Sequence, residues 1–158
     1  MNTTQIEEFC KDGDLGRLQQ YGAENILRDC ERYRWLRPNC LKHAASNNHL
    51  HVLKWFYANV WVSAANAMNL KNILKIASCT GNLSIIQWSF DLLCQVPEFT
   101  DNSMRLGYLA MLNESTKYSI YATLSHGALE ACQWLVSQSP RAFVETLDLK
   151  DMFSAGLS

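Results

Sequence analysis

The sequence predicts an all-α chain, a solenoid of about four helix-turn-helix units. Three observations predict it. The stretch 39–59 reads as two short helices around a tight Asn47-Asn48-His49 turn, with Val52, Leu53, Trp55 and Phe56 on one side of the second. That i, i+3, i+4 stripe marks a helix with one buried face. Helices this short are marginal alone, so they need neighbours of the same kind. Similar stretches recur along the chain. Leu15, Leu50, Leu83 and Leu129 open the successive second helices at spacings of 35, 33 and 46 residues. A period near 33 with two helices per unit is a repeat signature.

The first unit covers about residues 3–21. Thr3 or Thr4 is the expected helix cap, with Glu7 three residues after Thr4 as in a capping box. Gly13-Asp14 supplies the turn, and Ile6, Phe9 and Leu18 the apolar positions. Gln20 stands where later units carry Trp, which suits an end unit with a more polar outer face. Residues 21–38 gather Arg28, Asp29, Glu31, Arg32, Arg34 and Arg37 around Tyr33 and Trp35. The cluster reads as a solvated helix end and loop, as a contact for a partner's carboxylates, or as a surface that stacks on bases.

The second unit covers 39–59, with helices expected from Leu41 to Ser46 and from Leu50 onwards. Pro38 falls just before it, where a missing N–H does little harm. Residues 60–71 form an apolar connection with an extra helical turn. The third unit, 72–93, places Leu74, Ala77, Gly81, Leu83 and Trp88 against Leu41, Ala44, Asn48, Leu50 and Trp55. Residues 94–117 are an insertion, broken at Pro97 and followed by a short helix over 103–113. The fourth unit, 118–138, carries Ile120, Thr123, Gly127, Leu129 and Trp134. Residues 141–158 are either a C-terminal cap or part of a fifth unit.

Leu41, Ala44, Ala45, His49 and Leu50, and again Leu74, Ala77, Gly81 and Leu83, resemble the ankyrin repeat, whose pattern is Thr-Pro-Leu-His-x-Ala-Ala-x-x-Gly-His-Leu. The resemblance spans roughly residues 3–138. No unit has the family's Thr-Pro before the leucine. Trp55, Trp88 and Trp134 replace an ordinary aliphatic, a flavour similar to units in protist, viral and bacterial-effector repeat families. The resemblance implies an ankyrin-like solenoid that binds another protein through a concave face of loop tips and first-helix residues. Carried over by position, that face holds Lys11, Asp12, Trp35, Leu36, Ser46, Asn47, Met68, Asn69, Lys71, Cys79, Thr80, Lys117, Ser125 and His126. Hot spots favour Trp and Arg, so Arg34 and Trp35 lead the expected contacts.

At 158 residues the chain makes one domain, able to bury about two-thirds of its unfolded surface. With 48% hydrophobic and 18% charged residues it is globular, and its net charge of −1 argues against nucleic acid or an anionic membrane as partner. No apolar run reaches the length of a membrane span, and the first residues show no signal peptide. The expected setting is intracellular and cytoplasmic, or a host cytosol if the chain is a secreted effector, and the expected state is a monomer. The six cysteines form no Cys-x-x-Cys pair and read as reduced and structural.

No Gly-x-Gly-x-x-Gly, Walker loop, Gly-x-Ser-x-Gly or His-Glu-x-x-His occurs, so no catalytic role, cofactor or metal is expected. Cys40, His43, His49 and His51 are the one metal-like cluster, and His49 already has a turn role in the resemblance. Cys79 with His126 is the one nucleophile-like pair, with nothing in the sequence to activate it. The aligned tryptophans read as core, buried between units. A targeting or regulatory portion of a larger effector or enzyme is the alternative function.

Overall fold

The computed structural model describes residues 2–60, 66–95, 101–139 and 142. Within them the chain is all-helical: α1 (Thr3–Asp12), α2 (Leu15–Tyr21), α3 (Ala23–Arg32), α4 (Leu36–Ser46), α5 (Leu50–Asn59), α6 (Asn66–Thr80), α7 (Leu83–Cys94), α8 (Asn102–Ser125) and α9 (Leu129–Gln138). No strand occurs among the described residues.

Four turns of one geometry organise these helices. Gly13, Asn48, Gly81 and Gly127 all adopt left-handed backbone, with φ of 73°, 61°, 72° and 71°. The following N–H closes back on the helix in each case: Asp14 to the Phe9 carbonyl at 2.9 Å, His49 to Ala44 at 2.8 Å, Asn82 to Ala77 at 3.0 Å, Ala128 to Thr123 at 2.8 Å. This is a Schellman closure, which satisfies carbonyls that a helix end leaves open. It reverses the chain in two or three residues and pairs α1 with α2, α4 with α5, α6 with α7, and α8 with α9.

The first helices of these pairs then pack in one row, α1 on α4, α4 on α6 and α6 on α8, while α7 also meets α9. The core repeats with the turns. Ile6, Leu41, Leu74 and Ile120 are buried at one position, and Leu18, Leu53, Ile86 and Cys132 at another. Alanines at 44 and 77 let neighbouring first helices approach closely, and both are fully buried.

Several expectations are corrected. The cap of α1 is Asn2, not Thr3 or Thr4: Asn2 Oδ1 accepts from the Gln5 N–H and Gln5 Oε1 from the Asn2 N–H. The same capping-box spacing is met two residues earlier. α4 begins at Leu36 rather than Leu41, and Pro38 lies inside its first turn, where backbone N–H groups have no helical partner anyway. Leu36 is therefore buried rather than on an exposed face.

Residues 23–32 are a helix, not a loop. Ile26 and Cys30, one turn apart, bury against the core, and Tyr21 Oη donates to Asp29 at 2.6 Å, fixing the α2–α3 corner. The short helix over 103–113 and the first helix of the fourth unit are one continuous helix, α8, roughly 36 Å long. Nothing between Asn113 and Ser119 is Gly or Pro, so propagation past the first segment costs little. The expected break at Pro97, the connection 61–65 and the expected cap 143–158 lie outside the described residues.

The tryptophans are half-buried, not enclosed between units. Trp88 meets Tyr57 edge-on with ring centroids 5.9 Å apart, and Trp134 meets Phe90 at 5.5 Å. Trp88 and Trp134 thus each pack on the ring two residues after the preceding unit's Trp, while Trp55 meets its neighbour Phe56. The Trp88 and Trp134 indoles each meet the previous outer helix and keep part of their surface in solvent, which an amphipathic ring tolerates.

Candidate functional site

The expected site residues divide between the two ends of the first-helix row. At the turn end lie Ser46 and Asn47, Thr80, Ser125 and His126, closing α4, α6 and α8. Several already serve their own helix ends. Asn47 Nδ2 donates to the His43 carbonyl at 2.9 Å, Thr80 Oγ1 to Ile76 at 3.1 Å, and His126 Nδ1 lies 2.8 Å from the Ala122 carbonyl. The turns also bind one another. His49 Nε2 lies 2.8 Å from the Lys11 carbonyl, His51 Nε2 2.9 Å from Gly13, and Asn82 Nδ2 donates to Ala45 at 2.9 Å.

Two members of the metal-like cluster make these contacts. His49 and His51 point at the first turn, while Cys40 is buried. No three metal-ligating side chains converge among the described residues. Of the nucleophile-like pair, Cys79 Sγ lies 3.7 Å from the Tyr118 hydroxyl and His126 Nδ1 lies 2.8 Å from the Ala122 carbonyl. All six thiols are free, and Cys10, Cys30, Cys40 and Cys132 are buried.

At the other end lie Arg34 and Trp35, just before α4, with Met68 and Asn69 in the first turn of α6. α4 is 11 residues long, so this group sits roughly 16 Å from the turns. The expected site residues therefore stand at opposite ends of the first helices. Lys71 lies one turn beyond Met68 on α6 and is half-buried. Lys117 stands in the same register on α8 as Lys71 on α6, towards that end of the row, and is paired with Glu114 at 2.9 Å.

Between α3, the start of α4 and the start of α6 runs a cleft of about 490 Å³, lined by Cys30, Glu31, Arg34, Arg37, Pro38 and Asn69. That volume lies in the range of small-molecule and peptide-anchor pockets. Beside it in sequence, Trp35 is 47% exposed and Met68 60% exposed, both large apolar side chains in water. Burial pushes the Cys30 thiol up to about 11, aided by the nearby Cys40 and opposed by the Arg37 guanidinium. The cleft wall therefore carries a neutral thiol, two guanidinium groups and one carboxylate.

Of these, Glu31 and Arg37 belong to the charged cluster read from residues 21–38, while Cys30 and Pro38 were not among the expected contacts. The signal that would have found them is the Ile26–Cys30 spacing with Glu24 at the start of the run, which marks a short buried-face helix. A helix there makes a wall, where a loop would not.

No protein-family model, no curated protein sequence and no solved structure matches this chain.

Proposed function

We propose that this chain is a non-catalytic protein-interaction module, an ankyrin-like solenoid of four hairpin units. We place its partner contacts at the α3–α4–α6 end of the first-helix row. The solenoid reading is supported by the left-handed residue and backward closure that recur in four turns, and by the continuous packing of α1, α4, α6 and α8. Each unit leans on its neighbours, so the row is a rigid support for surface side chains.

One observation carries the interaction reading. Trp35 and Met68 are exposed, and each adjoins in sequence a residue that lines a cleft holding two guanidinium groups. Exposed aromatic and thioether side chains next to Arg are the chemistry of interface centres. The test is affinity capture from the native cell, read by mass spectrometry, with the parent chain and a Trp35→Ala, Met68→Ala, Lys71→Ala variant side by side. The expected result is loss of a specific captured protein at an unchanged melting curve. Truncating an interface Trp often costs about 2 kcal/mol, roughly thirtyfold in affinity. Undiminished capture by a folded variant would move the contacts elsewhere, with the exposed Met104 and Leu106 of α8 the next surface to change.

A further inference from the structure

Two side chains that line the cleft between α3, α4 and α6 each carry a buried hydrogen-bond donor with no acceptor among the described residues. Arg37 Nε and Asn69 Nδ2 are buried, and neither finds a partner among the described residues. A buried donor left unsatisfied is costly, so two of them on side chains that line one cleft are a departure from ordinary packing. Both are donors only, so an acceptor is what each lacks.

Charge narrows the choice of acceptor. Of the arginines near this corner, Arg28 is held by Asn25 Oδ1 at 2.7 Å and Arg32 stacks over the Tyr33 ring at 5.3 Å. Arg34 and Arg37 line the cleft, and neither is ion-paired among the described residues. Glu31 offsets one of the two charges, and the Cys30 thiol stays protonated and offsets none. The balance is one positive charge, which suits a single carboxylate better than a dianionic phosphate.

We infer that this cleft binds one carboxylate of a partner peptide, with Arg34 and Arg37 carrying its charge and with the Arg37 and Asn69 side chains turning their buried Nε and Nδ2 donors onto its oxygens. A guanidinium presents its donors in a fork that matches a carboxylate's two oxygens. This assignment rests on the reading of the chain as a partner-binding module. It supplies the chemistry of one contact, an acidic side chain or a chain terminus.

The test uses the full isotope-labelled chain and four probes. They are acetyl-Leu-Glu-Leu-amide, its Gln counterpart, acetyl-Leu-Gln-Leu with a free terminal carboxylate, and inorganic phosphate. The readouts are the Arg37 Nε–H and Asn69 side-chain amide resonances. The expected result is saturable movement of both with at least one carboxylate peptide, and at least tenfold weaker binding of the uncharged Gln amide. Comparing the two carboxylate peptides tells a side chain from a terminus.

Arg34→Ala removes an exposed side chain and should weaken the carboxylate peptide about tenfold at an unchanged melting point. Arg37→Lys keeps the charge and loses the Nε donor, and should weaken it as well. Overturning results are no movement with either carboxylate peptide, tighter binding of phosphate than of both, or undiminished binding by Arg34→Ala and Arg37→Lys together. Because the titration needs no native partner, it succeeds or fails independently of the capture experiment.

Discussion

His49 Nε2 reaches back across 38 residues to lie 2.8 Å from the Lys11 carbonyl, and the same ring fills the space where Gly13 has no side chain. A Cβ built on Gly13 would stand 2.6 Å from His49 Nδ1. The second turn is seated on the first, and the absent side chain of Gly13 is what admits it. Gly81 receives Ala128 in the same way, with its would-be Cβ 3.0 Å from the Ala128 Cβ.

Gly13→Ala should therefore destabilise more than Gly127→Ala. Both force an alanine into left-handed backbone, a cost of about 1 kcal/mol or somewhat more. Only Gly13 adds a collision, since nothing lies within 4 Å of a Cβ at Gly127. Urea unfolding of the two variants should separate them by about 1 kcal/mol or more, as overpacked sites do. Equal midpoints would mean that the turns do not seat on one another.

The aromatic ladder predicts a coupling. Trp88 is half-buried against Tyr57, so Trp88→Ala should cost about 1–3 kcal/mol, below the loss for an enclosed Trp. A double-mutant cycle with Tyr57→Ala should return a coupling of roughly 0.5–1.5 kcal/mol for the edge-on pair. A coupling indistinguishable from zero would separate the two rings in solution.

Continuity of α8 has its own signature. Backbone carbon shifts should be helical without interruption from Asn102 to Ser125. Asn113→Pro should cost about 3 kcal/mol or more, because it removes an interior hydrogen bond and clashes with the preceding turn. Coil-like shifts over 113–118 would restore the two-segment reading.

Alkaline pH should weaken the fold through the buried thiols. The Cys30 thiol titrates near 11 in the folded chain, against an ordinary value of 9.0. Cys40 is raised as well, first by its hydrogen bond with Cys10 and then by burial. A folded group that holds its proton more tightly than the unfolded one favours folding below the unfolded value. That advantage is lost as pH rises from about 9 towards 11. Urea midpoints should fall over this window, and Cys30→Ala should make the fall shallower. An identical slope in the variant would place Cys30 in contact with water.

The residues of this chain determine its turns and its periodic core by local rules. A left-handed residue suits Gly or Asn whatever surrounds it, so Gly13, Asn48, Gly81 and Gly127 were legible as turns. The stripes through Leu41, Leu53, Leu74 and Ile86 were legible for the same reason, because helical spacing fixes which side chains share a face. Tertiary packing decided the rest. Ile26 and Cys30 make a helix worth forming only where α2 and α4 cover them, so α3 and its cleft could not be read from residues 23–32 alone. The length of α4 and the row it joins separate Trp35 from Asn47 by a helix length, although both had been assigned to one face. Distance along a sequence does not report distance across a stack; which ends of successive helices meet is settled by the turns that seat them.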